Sequence, residues 1–247
     1  MKLVSVNTGL PREVSWHGRV VRTAIFKEPA RGRVALSKLN LDGDRQADLT
    51  VHGGEHKAVY CYSLAHYDYW KRELPGRELP MGMFGENLTI DDGGPALLGG
   101  QALLGGQALL GGQALLGGQG LLEESVHLGD RFSIGTAEVV VTQPRLPCYK
   151  LGVRFGSDDM VKRFLVSGRT GFYVAVLREG EVGAGDEMKV IAREANAVPV
   201  SEIVYLYVVK RYGEAEIRAV RRALRVPELP ESWKEYFRER LGQAGAV

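Results

Sequence analysis

The sequence predicts a mainly β protein with some α, a barrel or sandwich of short strands followed by a small helical C-terminal unit. Three observations predict it. Short β-branched and aromatic runs recur from Lys2 to about Arg193. Gly-Asp pairs at Gly43-Asp44, Gly129-Asp130 and Gly185-Asp186 supply turn chemistry between them. Beyond Arg193 the apolar spacing changes to a helical period.

The expected strands, in order, are Lys2 to Val6, Arg19 to Phe26, Val34 to Leu39, Ala58 to Tyr62, Arg131 to Ile134, Glu138 to Thr142, Phe172 to Leu177 and Met188 to Ala192. Two helices are expected among them. One follows Ser63, which can cap LAHYDYWKREL; the other follows Ser157, where Asp158 and Asp159 suit the positive end of a helix dipole. The tail offers helical segments near Ser201 to Tyr212, Glu214 to Leu224 and Ser232 to Leu241, the last opening on a capping box of Ser232 and Glu235. The first is ambiguous, because IVYLYVV suits a strand equally well. The pattern divides the chain into a β domain over 1–193 and a helical domain over 194–247.

Residues 93–124 interrupt the strands with five near-identical six-residue units, from PALLGG to QGLLEE. A hexapeptide β-helix needs about three units per coil, so five complete no second coil. Paired glycines cost an α-helix about 2 kcal/mol per unit relative to alanine. A surface insertion without regular structure, and without a part in the chemistry, is expected.

The 247 residues, 45% hydrophobic, are enough for a sizeable core. Lys and Arg number 32 against 30 Asp and Glu, so no whole-molecule field favours nucleic acid and any anion site must be local. No run approaches the roughly 20 apolar residues that span a bilayer, and the first apolar run is too short for a signal-peptide core. A cytoplasmic protein with no membrane partner is the expectation. Cys61 and Cys148 are too few for a disulfide framework.

Four segments carry candidate chemistry. In QPRLPCYKL, Pro144 and Pro147 make a rigid loop that ends on Cys148, with Arg145 and Lys150 on either side. Nearby positive charge favours the reactive, metal-binding thiolate; the plainer alternative is a small buried residue beneath a turn. Cys61, in the apolar run AVYCYS, reads as core.

In DLTVHGGEHKAVY, His52 to His56 spells a zinc-peptidase string, but that pattern needs a helix and Gly53-Gly54 breaks it. A glycine loop presenting backbone amides to an anion, with His52 and Lys57 adding charge, competes with a plain glycine hairpin. MFGENLTI offers Asn87, a donor and acceptor suited to a heterocycle edge, after Gly85. SGRTGFYVAVLREGEVGAGD sets Arg169 and Thr170 between glycines, where Arg169 is either a phosphate clamp or an exposed turn residue.

In this order, GDRQADLTVHGGEHKAVYCY, MFGENLTI, LGDRF, QPRLPCYKL and RTGFYVAVLREGEV resemble the MOSC family, the domain related to the C-terminal part of molybdenum cofactor sulfurase, and most closely its YiiM-type members. The resemblance implies a pyruvate-kinase-like β-barrel followed by a three-helix domain, which favours helix at Ser201. It implies the molybdenum cofactor, a pterin dithiolene carrying a phosphate, with Cys148 as catalytic residue and metal ligand. His52, Gly53, Gly54, Lys57, Asn87, Arg145, Arg169 and Thr170 fall in the blocks around that cofactor: the cations suit its phosphate, His52 and Asn87 its pterin or metal face.

The implied activity is reduction of N-hydroxylated compounds such as hydroxylamino-purines, a small-molecule substrate class. A separate reductase is implied as electron donor, since the chain shows no flavin, nicotinamide or iron–sulfur pattern. The alternative is a non-catalytic carrier of the cofactor or of a Cys148 persulfide. Pyridoxal phosphate, also associated with the family, would need a Schiff-base lysine, for which Lys57 and Lys150 are weak candidates.

Overall fold

The computed structural model describes residues 1–50, 52–93 and 122–245. Its strands are β1 (Lys2–Thr8), β2 (Arg12–Trp16), β3 (Arg19–Thr23), β4 (Glu28–Pro29), β5 (Val34–Leu36), β6 (Val59–Ser63), β7 (Leu88–Asp91), β8 (Arg131–Ile134), β9 (Ala137–Pro144), β10 (Phe172–Arg178), β11 (Gly180–Val182) and β12 (Met188–Ala192). Its helices are α1 (Leu64–Glu73), α2 (Leu122–Ser125), α3 (Tyr149–Phe155), α4 (Asp159–Val166), α5 (Val200–Val208), α6 (Glu214–Ala223) and α7 (Glu231–Gln243), with one 3-10 turn at Glu55–Lys57. Among the described residues no helix is long and apolar enough to cross a membrane.

The main sheet runs β12-β8-β9-β10-β6-β7-β1-β4. Its ladder does not close, but its ends approach each other. Lys2 bridges Glu187, and Leu3 donates to the Asp186 carbonyl at 2.8 Å while accepting from Gly185 at 2.7 Å. Residues two apart along the strands, such as Val59 and Cys61, Val139 and Val141, or Phe172 and Val174, fill the inner core. β6 is buried on both faces. Tyr60 and Tyr62 turn outward into a second, aromatic cluster with Tyr67 and Trp70 of α1, Phe84, Phe155 of α3 and Phe164 of α4.

Several expectations need correction. The strand from Arg19 ends at Thr23 because it pairs with β2, a partner that was not foreseen. His17 and Gly18, both at positive φ, form the two-residue turn between them, and the chain after Thr23 is released to line a cleft. The strand from Val34 stops at Leu36. β7 and β11 were also unforeseen, each too short for a clear alternation.

Ser63 caps α1 as expected, accepting from the Ala65 N–H at 3.2 Å. The Ser232–Glu235 capping box does not form. α7 starts one residue earlier, after Pro230, whose fixed φ sets the entry without a side-chain cap. The Ser201 segment is helical as α5, and its apolar side chains, with those of α6 and α7, join the barrel's inner cluster. Of the five repeat units only Leu122, Glu123 and Glu124 lie within the described residues; the expectation for the remaining units lies outside them.

Candidate functional site

Behind the aromatic cluster the chain opens into a cleft of about 690 Å³, open to solvent at its mouth. Three walls meet there: the segment after β3 with Ile25 and Lys27, the loop from Asp44 to Lys57, and the proline loop from Arg145 to Lys150. Tyr60, Tyr173 and Asn87 form its floor.

The proline loop behaves differently from its sequence reading in one respect. Pro144 ends β9, and after the short loop 145–148 the chain enters α3 with Cys148 at the N-cap position. Its half-buried Sγ lies 3.6 Å from His52 Nε2 and beside the Lys150 backbone N–H. Burial pushes this thiol up, but the His52 contact, the Arg145 charge and the Lys150 amide outweigh it and bring it down to about 7. Cys61 is the opposite case: it is fully enclosed in the inner core, and burial holds its thiol far above the usual range.

Arg145 is 6% exposed, with its guanidinium carbon 5.3 Å above the Tyr60 ring and 4.9 Å above that of Phe164. Its Nη1 is buried without a hydrogen-bond partner among the described residues, and so is His52 Nδ1. Two unmet donor or acceptor atoms in one cleft leave bonding capacity for a ligand, and a guanidinium selects an anionic one. Lys57, also on the wall, has its amine lowered by burial.

His52, Gly53, Lys57, Asn87, Arg145 and Cys148 therefore meet at the cleft. Asn87 meets it with its amide already used: Oδ1 accepts from the Tyr60 N–H at 3.1 Å, and Nδ2 donates to Asp44 at 3.0 Å and the Asn7 carbonyl at 3.2 Å. It is a clamp between loops, not a free heterocycle-reading edge. Gly54 is exposed and outside the lining.

Arg169 and Thr170 do not line the cleft either. Arg169 stacks over Tyr69 at 4.0 Å and donates to the Ser167 carbonyl, while the Thr170 carbonyl takes the Tyr60 hydroxyl at 2.8 Å. The adjacent Gly171 explains this motif. At φ 65° it lies so close to β6 that a Cβ would stand 2.3 Å from the Cys61 carbonyl, and its own carbonyl takes the Arg145 N–H. The segment braces Arg145 from behind the site.

The zinc-peptidase string is not realised. Gly53 and Gly54 at φ 88° and 80° keep His52 off any helix, and Glu55 and His56 lie exposed on the 3-10 turn. No group of three or more His, Cys, Asp or Glu is placed to hold a metal among the described residues. Sequence reasoning missed Lys27 and Asp44, a buried ion pair at the cleft, and Tyr60 and Tyr173. In sequence Gly43-Asp44 marks only a turn; nothing local marks Asp44 as the acceptor of Lys27, Asn87 and the Gly9 N–H together.

The MOSC domain family model matches residues 48–117 and 116–189, and the YiiM-like 3-alpha helix domain model matches 198–244. The chain is 34% identical to the uncharacterized protein YflK of Bacillus subtilis, over 95% of this chain and 92% of that one. A protein of Gibberella moniliformis named as a reductase is 28% identical over 77% of this chain, which spans 29% of its length. Among solved structures, YiiM from Geobacillus stearothermophilus superposes with a TM-score of 0.70 at 30% identity, covering 97% of this chain and 98% of that one. YiiM from Escherichia coli gives 0.67 at 25%, covering 98% and 94%.

Proposed function

Because this chain belongs to the MOSC domain family, in the YiiM-like form with three appended helices, we propose that it is an oxidoreductase whose cleft holds the molybdenum cofactor and reduces N-hydroxylated compounds such as hydroxylamino-purines. The single observation that carries the reading is Cys148: a half-buried thiol 3.6 Å from His52 Nε2, in a cleft where the buried Arg145 Nη1 has no hydrogen-bond partner among the described residues. The donor set fits the group. A thiolate suits a soft, thiophilic metal, and Arg145 with Lys57 suits a phosphate-bearing ligand.

When bound, the cofactor supplies two-electron chemistry at a metal able to accept oxygen. The protein's part is binding, orientation and proton handling. Cys148 would ligate the metal as a thiolate. Arg145 and Lys57 would balance the ligand's negative charge, and Tyr60 and Tyr173 would wall the cleft. Conversion of R–NHOH to R–NH2 and water consumes two electrons and two protons. His52, whose Nδ1 has no partner among the described residues, is the group on this wall able to pass a proton.

The electrons would come from a separate cytoplasmic reductase. A similar segment within a longer fungal protein named as a reductase supports that association. A carrier of the cofactor, or of sulfur as a Cys148 persulfide, would use the same thiol without turnover.

The test is molybdenum and released pterin in protein from a cofactor-competent host, followed by turnover of an N-hydroxylated base with a chemical electron donor. Stoichiometric metal that disappears in Cys148→Ala, together with turnover, is expected. Metal without turnover favours the carrier, and neither metal nor pterin, where a control molybdoenzyme loads, overturns the reading.

A further inference from the structure

Gln143 connects the helical tail to the site. It is 3% exposed at the end of β9, two residues before Arg145. The Trp233 indole N–H of α7 donates to its Oε1 at 2.8 Å, and its Nε2 donates to the His56 carbonyl at 3.2 Å. Thr142 Oγ1 donates to the same carbonyl at 2.6 Å. Only this amide orientation satisfies both neighbours. Turned over, it would set N–H against indole N–H and oxygen against carbonyl oxygen. The indole therefore decides which end of Gln143 meets the glycine loop.

That bond joins the two segments that bring thiol and imidazole together. Gln143 leads into the loop ending at Cys148, and His56 closes the loop that His52 opens. We propose that Trp233 and Gln143 are positioning residues for the Cys148–His52 pair: the tail orients Gln143 through its indole N–H, and Gln143 holds the glycine loop against the cysteine loop through the His56 carbonyl. The tail is then part of the scaffold of the site. This rests on the reading of Cys148 as the reactive group, but it is tested without any cofactor.

The test uses the full chain, with Trp233→Phe, which keeps an aromatic ring and loses the donor, and Gln143→Glu, which keeps the acceptor for the indole and cannot donate to His56. Iodoacetamide alkylation of Cys148 at one near-neutral pH is followed together with amide exchange across residues 52–58 and with Tm. Each variant is expected to slow alkylation about fivefold, the factor that one lost net hydrogen bond corresponds to. Each should speed exchange in the loop, and the double variant should add little, because both cuts sever one chain of bonds.

A Trp233→Phe protein of lower Tm with unchanged alkylation and loop exchange would assign the indole to packing and overturn the proposal. Strictly additive effects would overturn it as well. Should Trp233→Phe fail to fold, Gln143→Glu decides alone, since it retains the indole contact. Molybdenum content is a separate readout, so its failure counts against the cofactor reading and not against this one.

Discussion

Cys148 and His52 stand 96 residues apart in the chain, yet Sγ and Nε2 are separated by 3.6 Å. The contact explains why a partly buried thiol is easier, not harder, to ionise: the imidazole, the Arg145 charge and the Lys150 amide together overcome desolvation.

The first prediction follows from that balance. The Cys148 thiol should titrate near 7 in cofactor-free protein, and His52→Ala should move it up toward its ordinary 9.0. Alkylation rate against pH reads this, with Cys61 silent because it is buried. The sign for stability is fixed too. Folding favours the thiolate, so this group's contribution is full above about 9, shrinks as pH falls toward 7 and is absent below, a slope that Cys148→Ser should flatten.

Arg145→Met should abolish anion retention in the cleft, read as loss of cofactor or of a phosphate-bearing ligand by calorimetry. It should leave the fold intact. The guanidinium is buried, with Nη1 unpaired among the described residues, so replacing it with an apolar chain of similar length removes a desolvation cost. A Tm unchanged or raised, with binding lost, is the expected pair of results.

Glu86 is fully buried and accepts from the Gly82 N–H at 2.8 Å, the Phe84 N–H at 3.1 Å, Thr89 Oγ1 at 3.0 Å and the Tyr67 hydroxyl. Glu86→Ala strands several buried donors at once and should cost about 3 kcal/mol or more in denaturant unfolding. Recovery of the wild-type midpoint by the alanine variant would show that these donors find other partners.

Glu123, in the last unit of the repeat, is fully buried and pairs with His66 at 2.8 Å while taking the Gly171 N–H at 2.6 Å. Burial raises its carboxyl, but the His66 charge and these hydrogen bonds prevail and hold it below the ordinary 4.5. Its contribution is therefore present above 4.5 and lost as pH falls below that value. Glu123→Gln should weaken the protein at neutral pH and blunt its acid unfolding, as read by circular dichroism against pH.

Motif by motif, the sequence showed what each local segment could support. QPRLPCYKL carries in itself the rigidity and charge that mark Cys148, and the glycine loop marks His52 and Lys57. What misled was isolation. RTG left a phosphate clamp and an exposed turn arginine both open; Arg169 is instead buried and stacked on Tyr69 of α1, a helix that begins more than a hundred residues earlier. Asn87 looked free because its three partners come from separate parts of the chain. α3 was hidden because Pro144 and Pro147 suggested only a loop, whereas the helix begins at Tyr149, just beyond the second proline, with Cys148 extended at its N-cap position.

The sequence by itself determined the family, the strand-rich order of elements and the helical tail, and it singled out Cys148 as the candidate thiol, because each is written in residue type and spacing along one segment. Tertiary structure decided which cations face the cleft, that Arg169 does not, and that Trp233 reaches Gln143. Those are relations between segments far apart in the chain, fixed only when the aromatic cluster and the inner core bury both faces of β6 and leave each loop one place to lie.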